Sequence, residues 1–235
     1  MSVPLPEGLL AVITKARYLL LDFDGPICDI FAGLPAATVA AKLKGLLAGN
    51  PEKVPDEVAS SEDPLQVFAY AAGVDAELGA RVEAEMTELE AAAVASAKPT
   101  AYVHDVISAC RESGRTVAVV SNNSERAVCT YLARQSLDGG IDLVVARTSH
   151  DAALLKPSPH LISTALAGLG AEPGSAALVG DTDTDIQAGR LAAVPVIGYA
   201  NRPGKREMMT GLGADAVVDS LADLVLALRA RPATV

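Results

Sequence analysis

The sequence predicts an α/β fold: a mostly parallel sheet with helices on both faces, and a helical segment inserted into it. After residue 99, short apolar strand patterns alternate with helical patterns, which is typical of repeated βαβ units. Residues 34–98 show helical periodicity only. We therefore expect a doubly wound, Rossmann-like core formed by residues 1–29 and 99–235. Residues 30–98, called the inserted segment below, are expected to form an all-helical domain.

The first strand pattern, residues 17–23, follows a short helical pattern at residues 7–16. It is apolar and bulky, as expected for a strand buried on both faces. A Gly-Pro pair ends it just after Asp22 and Asp24, at the edge of a parallel sheet where ligands bind. Two close carboxylates usually serve a cation or acid–base chemistry, because bare carboxylates repel each other. For this stretch taken alone, a solvated acidic turn is an equal alternative.

The inserted segment is predicted to contain three main helices. The first covers residues 34–48 and is followed by a predicted break at Asn50-Pro51. The second begins at Asp63-Pro64, and the long third helix begins at Asp75. One side of the long helix is apolar, and its other side is predicted to be a solvated acidic face. That face carries Glu83, Glu85, Glu88 and Glu90.

The second half of the chain supplies the other predicted strands, at residues 116–120, 141–146, 176–179, 195–199 and 216–218. Thr100 and Ser124 are predicted helix N-caps. Lys156-Pro157 is predicted to open a helix that runs to Gly168, and residues 221–229 form the last helix.

Polar residues follow three of these strands, and a lysine precedes one helix; the set is Asp22, Asp24, Ser121, Asn122, Asp181, Asp183, Asp185 and Lys156. All are expected at the same carboxyl edge of the sheet. Carboxylates that hold a metal, a hydroxyl and a lysine together suit phosphoryl transfer. Each piece alone has a simpler explanation: Ser-Asn as a cap, Lys-Pro as an exposed turn, and Gly-Asp as an acidic helix start. Asp183 in particular can be only a first-turn carboxylate.

In this order the motifs resemble those of the haloacid dehalogenase superfamily, in its phosphoglycolate phosphatase-like branch. Asp22-Phe23-Asp24-Gly25 resembles the first family motif, Ser121 the second, Lys156 the third, and residues 180–185 the fourth. The resemblance spans residues 17 to about 220, and the inserted segment corresponds to the family's cap. Pro26 departs from the pattern, because these enzymes usually carry Thr there.

The resemblance implies a phosphatase that hydrolyses a small phosphorylated metabolite through a phospho-aspartate. It makes Asp22 the nucleophile, and Asp24 the group that protonates the leaving oxygen and later activates water. Ser121 and the Asn122 backbone would bind the phosphoryl oxygens, and Lys156 would neutralise charge and orient Asp22.

The same resemblance implies Mg²⁺ as cofactor, held by Asp22, the Asp24 backbone carbonyl and Asp181, with Asp185 close behind. Three cations of the inserted segment are candidates for recognising the leaving group, although lysines on a helix are more commonly just exposed; these are Lys42, Lys44 and Lys53.

Other functions share parts of this pattern. A sugar-phosphate mutase has the same core and a similar cap, and a phospho-accepting signalling module also uses Asp, Lys and a hydroxyl on a parallel sheet. A dehalogenase is disfavoured by Asp24 and by the expected metal, and a catalytically silent binding protein by the full set of motif acids.

The composition restricts the classes of partner that the protein is expected to bind. A formal net charge of −10 argues against nucleic acid and anionic membranes, which both bind basic patches. Three unpaired cysteines, no signal-peptide pattern and no run of membrane-spanning length lead us to expect a cytoplasmic protein.

Overall fold

The structure is a computed structural model that describes residues 5–48 and 54–230 of the chain. Within these ranges the strands are β1 (Tyr18–Leu21), β2 (Cys28–Asp29), β3 (Lys98–Pro99), β4 (Thr116–Ser124), β5 (Leu143–Arg147), β6 (Ala176–Gly180), β7 (Val196–Tyr199) and β8 (Ala216–Val218). The α-helices are α1 (Leu9–Lys15), α2 (Ala36–Leu47), α3 (Asp56–Ser60), α4 (Pro64–Val74), α5 (Ala76–Ala93), α6 (Val103–Glu112), α7 (Glu125–Arg134), α8 (His160–Leu169), α9 (Asp183–Leu191), α10 (Lys205–Gly211) and α11 (Leu221–Ala230). Among residues 5–48 and 54–230, every helix is too short or too polar to span a lipid bilayer.

Six strands form one parallel sheet in the order β5-β4-β1-β6-β7-β8. The central strand β1 pairs with β4 on one side and with β6 on the other. Because all the paired strands run the same way, their carboxyl ends lie at one edge, and the strand order changes direction at β1. Ligands bind at such a switch point in open α/β sheets. The predicted doubly wound α/β class is confirmed.

Both faces of β1 are buried, as predicted. Leu19 and Leu21 pack in the apolar cluster that contains α1, α6, α7 and α11. Leu20 points to the opposite face, into the cluster formed with α8, α9, α10 and the inserted helices. Fully burying one leucine contributes roughly 2 kcal/mol, so the alternation fixes the strand between two cores.

The starts of the inserted helices agree with the sequence. Asp63 caps α4 by accepting a hydrogen bond from the Leu65 amide at 2.9 Å. Asp75 caps α5 in the same way, with the Leu78 amide at 2.9 Å. The short helix α3 was not predicted, and the predicted break at Asn50-Pro51 lies outside the described residues.

A two-stranded antiparallel ribbon joins the inserted segment to the core, and the sequence did not predict it. Cys28 pairs with Pro99 and Asp29 with Lys98. Each strand has only two residues, too few for a periodic pattern. The predicted domain boundaries at residues 29–30 and 98–99 fall on this ribbon, which lies beside the carboxyl end of β1.

Two predicted helix starts are wrong. Helix α6 begins at Val103, and Thr100 does not cap it but donates its hydroxyl to the Gly25 carbonyl at 2.5 Å. Lys156-Pro157 lies in a turn, and α8 begins only at His160. In both places the polar residue serves the sheet edge rather than the helix that follows it.

The end of β4 also differs from the prediction. The strand continues through residues 121–124, which were expected to follow it. The predicted cap at Ser124 is confirmed, since its hydroxyl accepts a hydrogen bond from the Ala127 amide at 3.4 Å. Helix α10 was not predicted.

At the opposite edge of the sheet, Arg115 is 4% exposed and joins two helix ends. Its guanidinium donates to the carbonyls of Ile13 at 2.9 Å, Ala16 at 3.0 Å and Leu228 at 3.5 Å. Cations stabilise helix C-termini, where carbonyls lack intrahelical partners.

We expect Arg115→Met to lower the free energy of unfolding by about 3 kcal/mol, because it leaves buried carbonyl oxygens without donors. Arg229→Met is the matched control, since it breaks an exposed 3.4 Å pair with Glu112 nearby. The control should change stability by less than about 1 kcal/mol. Urea unfolding measures both, and equal changes in the two variants would contradict the role given to Arg115.

Candidate functional site

Three carboxylates lie together at the carboxyl edge of the sheet. Asp22 follows β1, Asp181 follows β6, and Asp185 lies in the first turn of α9. Each offers an oxygen within 4.8 Å of the other two, and all three residues are buried. Burial raises the pKa of Asp22 well above its usual value, and the nearby charge of Asp185 raises it further. Such a cluster requires cations to remain ionised.

Lys156 supplies one of these cations. Its Nζ lies 2.8 Å from Asp22 Oδ1 and 2.6 Å from Asp185 Oδ1, and it donates to the Val120 carbonyl at 3.1 Å. Burial lowers the pKa of Lys156, but the two carboxylates outweigh burial and leave that pKa raised. The ammonium is therefore charged and fixed beside Asp22.

Asp185 is fully buried and holds the loop after β6. Its Oδ2 accepts hydrogen bonds from the Asp181 amide at 3.1 Å, the Thr182 amide at 3.0 Å and the Thr182 hydroxyl at 2.6 Å. Thr182 caps α9, so this is a capping box. Lys156 binds the other oxygen, Oδ1, so both carboxylate oxygens of Asp185 have partners within the protein. Asp185 therefore holds Lys156 and the loop after β6 in place.

Asp181 has one carboxylate oxygen with partners in the protein and one, Oδ1, without any among the described residues. Its Oδ2 accepts from Lys205 Nζ at 2.5 Å and from Asn201 Nδ2 at 3.0 Å. Its Oδ1 is buried and has no hydrogen-bond partner among the described residues. A buried, unpartnered carboxylate oxygen beside Asp22 and Asp185 fits a hard divalent cation, which prefers oxygen ligands.

Gly25 permits this arrangement. Its φ is +111°, and a Cβ at this position would lie 2.3 Å from Asp181 Cγ. Only glycine allows the loop after β1 to approach the carboxylate so closely.

Asp24 stands apart from the three-carboxylate cluster. Its Oδ1 accepts a hydrogen bond from the Ile30 amide at 3.1 Å. Burial raises the pKa of Asp24 to about 7, so this group exchanges a proton near neutral pH. Its backbone carbonyl as a metal ligand stays a prediction.

Ser121 and Asn122 are occupied by contacts within the protein. The Ser121 hydroxyl is fully buried and donates to Asn123 Oδ1 at 3.2 Å. The Asn122 amide binds the backbone of Lys156 twice: Nδ2 donates to its carbonyl at 3.0 Å, and Oδ1 accepts from its amide at 2.8 Å. Asn122 thus fixes the turn that carries Lys156.

A cavity of about 1040 Å³ lies between this edge and the inserted helices. The predicted site residues that line it are Asp22, Asp24, Asn122, Lys156 and Asp181; Ser121 is not among its lining residues. Asp183 is exposed at the first turn of α9 and also lines the cavity. From the inserted segment, Phe31, Ser61, Asp63, Leu65 and Gln66 face it.

The predicted leaving-group cations do not line the described cavity. Lys42 is exposed on α2, and Lys44 donates to the carbonyls of Ala59 at 3.0 Å and Ser61 at 2.8 Å. Lys53 lies outside the described residues.

Sequence reasoning missed Arg202 and Lys205, which line the cavity just after β7. The rule that functional residues follow parallel strands points to them as well, because β7 ends at the same edge. Asn201, in the same loop, donates a hydrogen bond to Asp181 and was also missed, although the same rule points to it.

The prediction that Glu90 belongs to a solvated face is wrong. Glu90 is 1% exposed and lies 2.9 Å from the guanidinium of Arg147, at the end of β5. Helical periodicity indicates which side of α5 is apolar, but it cannot show that a strand places an arginine against the other side.

Comparison with known proteins agrees with this geometry. The family model described as haloacid dehalogenase-like hydrolase matches residues 19–199. A phosphoglycolate phosphatase from Cupriavidus necator is 34% identical over 119 residues, 49% of each chain. A pyrophosphatase PpaX from Bacillus cereus is 28% identical over 123 residues, 52% of this chain and 56% of that protein. The chain thus spans about half the length of these curated relatives.

The fold has close counterparts among solved structures. A predicted phosphatase from Clostridium acetobutylicum superposes with a TM-score of 0.69 at 22% identity, over 90% of this chain and 97% of that one. At this identity the likeness concerns the fold alone. The match to the family model, which covers most of the chain, decides the family. The sheet order, the acidic edge and that match together show that this chain belongs to the haloacid dehalogenase-like hydrolase family.

Proposed function

We propose that the protein is a magnesium-dependent phosphatase that hydrolyses a small phosphomonoester through a phospho-aspartate at Asp22. The observation that carries this proposal is the buried Lys156 ammonium, which lies 2.8 Å from Asp22 in a cavity that also contains Asp24 and Asp181. The phosphoglycolate phosphatase and pyrophosphatase relatives support phosphate-ester or anhydride chemistry.

The chemistry would take two displacements at phosphorus. An Asp22 oxygen forms the new bond to phosphorus while the bond to the leaving oxygen breaks, and Asp24 donates a proton to that oxygen. Asp24 then accepts a proton from a water molecule that attacks the phospho-aspartate, releasing phosphate and restoring the Asp22 carboxylate. Splitting one hard step into two is the benefit of covalent catalysis. Lys156 favours the ionised form of Asp22, by lowering its pKa, and orients the carboxylate throughout.

Asp22 and Asp181 would hold the magnesium ion, with Asp185 behind them and the Asp24 carbonyl as a further ligand. The all-oxygen set and the unpartnered Asp181 Oδ1 support this assignment. When bound, the ion would shield the phosphoryl charge from the attacking carboxylate.

We expect Asp22→Asn to reduce phosphate release by several orders of magnitude, because an amide cannot attack phosphorus. The control is Asp138→Asn, the same change at an exposed residue just before β5, at the other edge of the sheet. Phosphate release from purified, folded variants measures this. Retained turnover in Asp22→Asn would remove the assigned nucleophile.

We expect excess chelator to abolish activity and added Mg²⁺ to restore it. Asp181→Asn should weaken Mg²⁺ binding by at least about tenfold, since even residues behind metal ligands have effects of this size. Calorimetric titration with Mg²⁺ measures binding without substrate, with Asp138→Asn as the control. Full activity after exhaustive chelation, or unchanged binding in Asp181→Asn, would contradict the metal assignment.

The inserted segment is proposed to select the leaving group, because α4 lies across the cavity from Asp22. We expect Gln66→Leu to change the ratio of kcat/KM between two phosphomonoesters by about tenfold, a typical effect of one pocket contact. Glu77→Leu, exposed on α5 and absent from the cavity lining, should leave the ratio unchanged. If the two variants behave alike across a panel of phosphorylated metabolites, α4 does not read the substrate.

A further inference from the structure

We propose that Arg147 and Glu90 form a buried positioning unit that fixes residues 121–124 of β4 and, through Asn122, the turn that carries Lys156. Its link to turnover rests on the proposed phosphatase function. Neither residue is assigned to the chemistry above.

Arg147 uses all five of its N–H donors. Nε binds Glu83 Oε1 at 3.2 Å, and Nη2 binds Glu90 Oε2 at 2.9 Å and Thr87 Oγ1 at 3.2 Å. Nη1 binds Glu90 Oε1 at 3.3 Å and the carbonyl of Asn122 at 3.0 Å. The first three partners lie on successive turns of α5. One guanidinium therefore joins this inserted helix to the end of β4.

Glu90 completes the unit from the helix side. Besides Arg147, its Oε1 accepts from Asn123 Nδ2 at 3.1 Å and its Oε2 accepts from the Ser124 amide at 2.8 Å. Asn123 in turn accepts from the Ser121 hydroxyl at 3.2 Å. The Glu90 carboxylate thus holds Asn123 and Ser124, whereas the Arg147 guanidinium holds Asn122.

The contacts continue to the reacting groups. Arg147 fixes the Asn122 carbonyl, the Asn122 amide holds the backbone of Lys156, and the Lys156 ammonium lies 2.8 Å from Asp22. Arg147 does not line the cavity, whereas Glu90 does, so Arg147 acts on the reacting groups through these residues. It is a positioning residue rather than a catalytic one.

Burial explains why both charges are needed. The two side chains are 1% and 2% exposed, and the Phe68 ring lies over the guanidinium at 5.7 Å. Buried ion pairs contribute little net stability, but losing one partner leaves an uncompensated charge. A pair with so many directed hydrogen bonds therefore serves geometry more than stability, and it makes α5 part of the fixed wall of the cavity.

The test uses Arg147→Lys, which retains the charge but not the fork, and the double variant Arg147→Met/Glu90→Leu, which leaves no buried charge. We expect kcat to fall about tenfold in the first and about 100-fold in the second, the scale of a misplaced catalytic group. In Arg147→Lys, which leaves the residues lining the cavity unchanged, KM should change by less than about threefold. Arg126→Met is the control, since it breaks an exposed pair with Glu88, a residue of the same helix α5.

Amide hydrogen exchange at residues 121–124 and 156 gives a readout that does not depend on activity. Exchange there should be faster in both Arg147 variants and unchanged in Arg126→Met, while thermal unfolding of Arg147→Lys stays close to that of the native protein. Native exchange and native kcat in folded Arg147→Lys or in the double variant would overturn the proposal. If the native protein releases no phosphate from any phosphomonoester, the proposed function fails, and the exchange result still decides whether the unit fixes the strand end.

Discussion

The ammonium of Lys156 is the interaction on which the rest of the site depends. Asp22, Asp181 and Asp185 are buried within 4.8 Å of one another, an arrangement that mutual repulsion opposes. Lys156 lies between Asp22 and Asp185, and Lys205 binds Asp181. The sheet order brings these charges together, because β1 and β6 are neighbours and each is followed directly by an aspartate. The same charge balance suits a site that receives an anionic phosphoryl group.

Much of the fold follows from the sequence, because the parallel sheet leaves a strong signal. The apolar run before Asp22 and the caps at Asp63 and Asp75 depend on local patterns, and each is where it was predicted. The common edge follows from the rule that parallel strands end on the same side. From these alone, Asp22, Lys156 and Asp181 are brought to one place.

The parts that could not be predicted depend on partners distant in sequence. The pattern of α5 alone predicts that Glu90 is exposed to solvent. It is buried because β5, which is distant in sequence, places Arg147 against it. The local sequence predicts that Thr100 caps a helix. Its hydroxyl instead donates to the Gly25 carbonyl, which the loop after β1 brings close to it. The binding of phosphoryl oxygens by the Asn122 backbone stays a prediction, and the hydrogen bonds from the Asn122 side chain to the Lys156 backbone could not be predicted because 34 residues separate the two. Short ribbons such as β2 and β3 leave no periodicity to detect.

The central claim is that Asp22 accepts the phosphoryl group, and trapping the intermediate tests it most directly. Asp24→Asn removes the group that activates water. With 4-nitrophenyl phosphate, whose leaving group departs without a proton from Asp24, the phospho-aspartate should therefore accumulate when this variant meets substrate and Mg²⁺. Acid quenching, proteolysis and mass spectrometry then locate the phosphoryl group. The account predicts it on Asp22, and none on the same peptide of Asp22→Asn. A phosphoryl group on any other residue, or turnover by the native enzyme with no trapped species in Asp24→Asn, would contradict it.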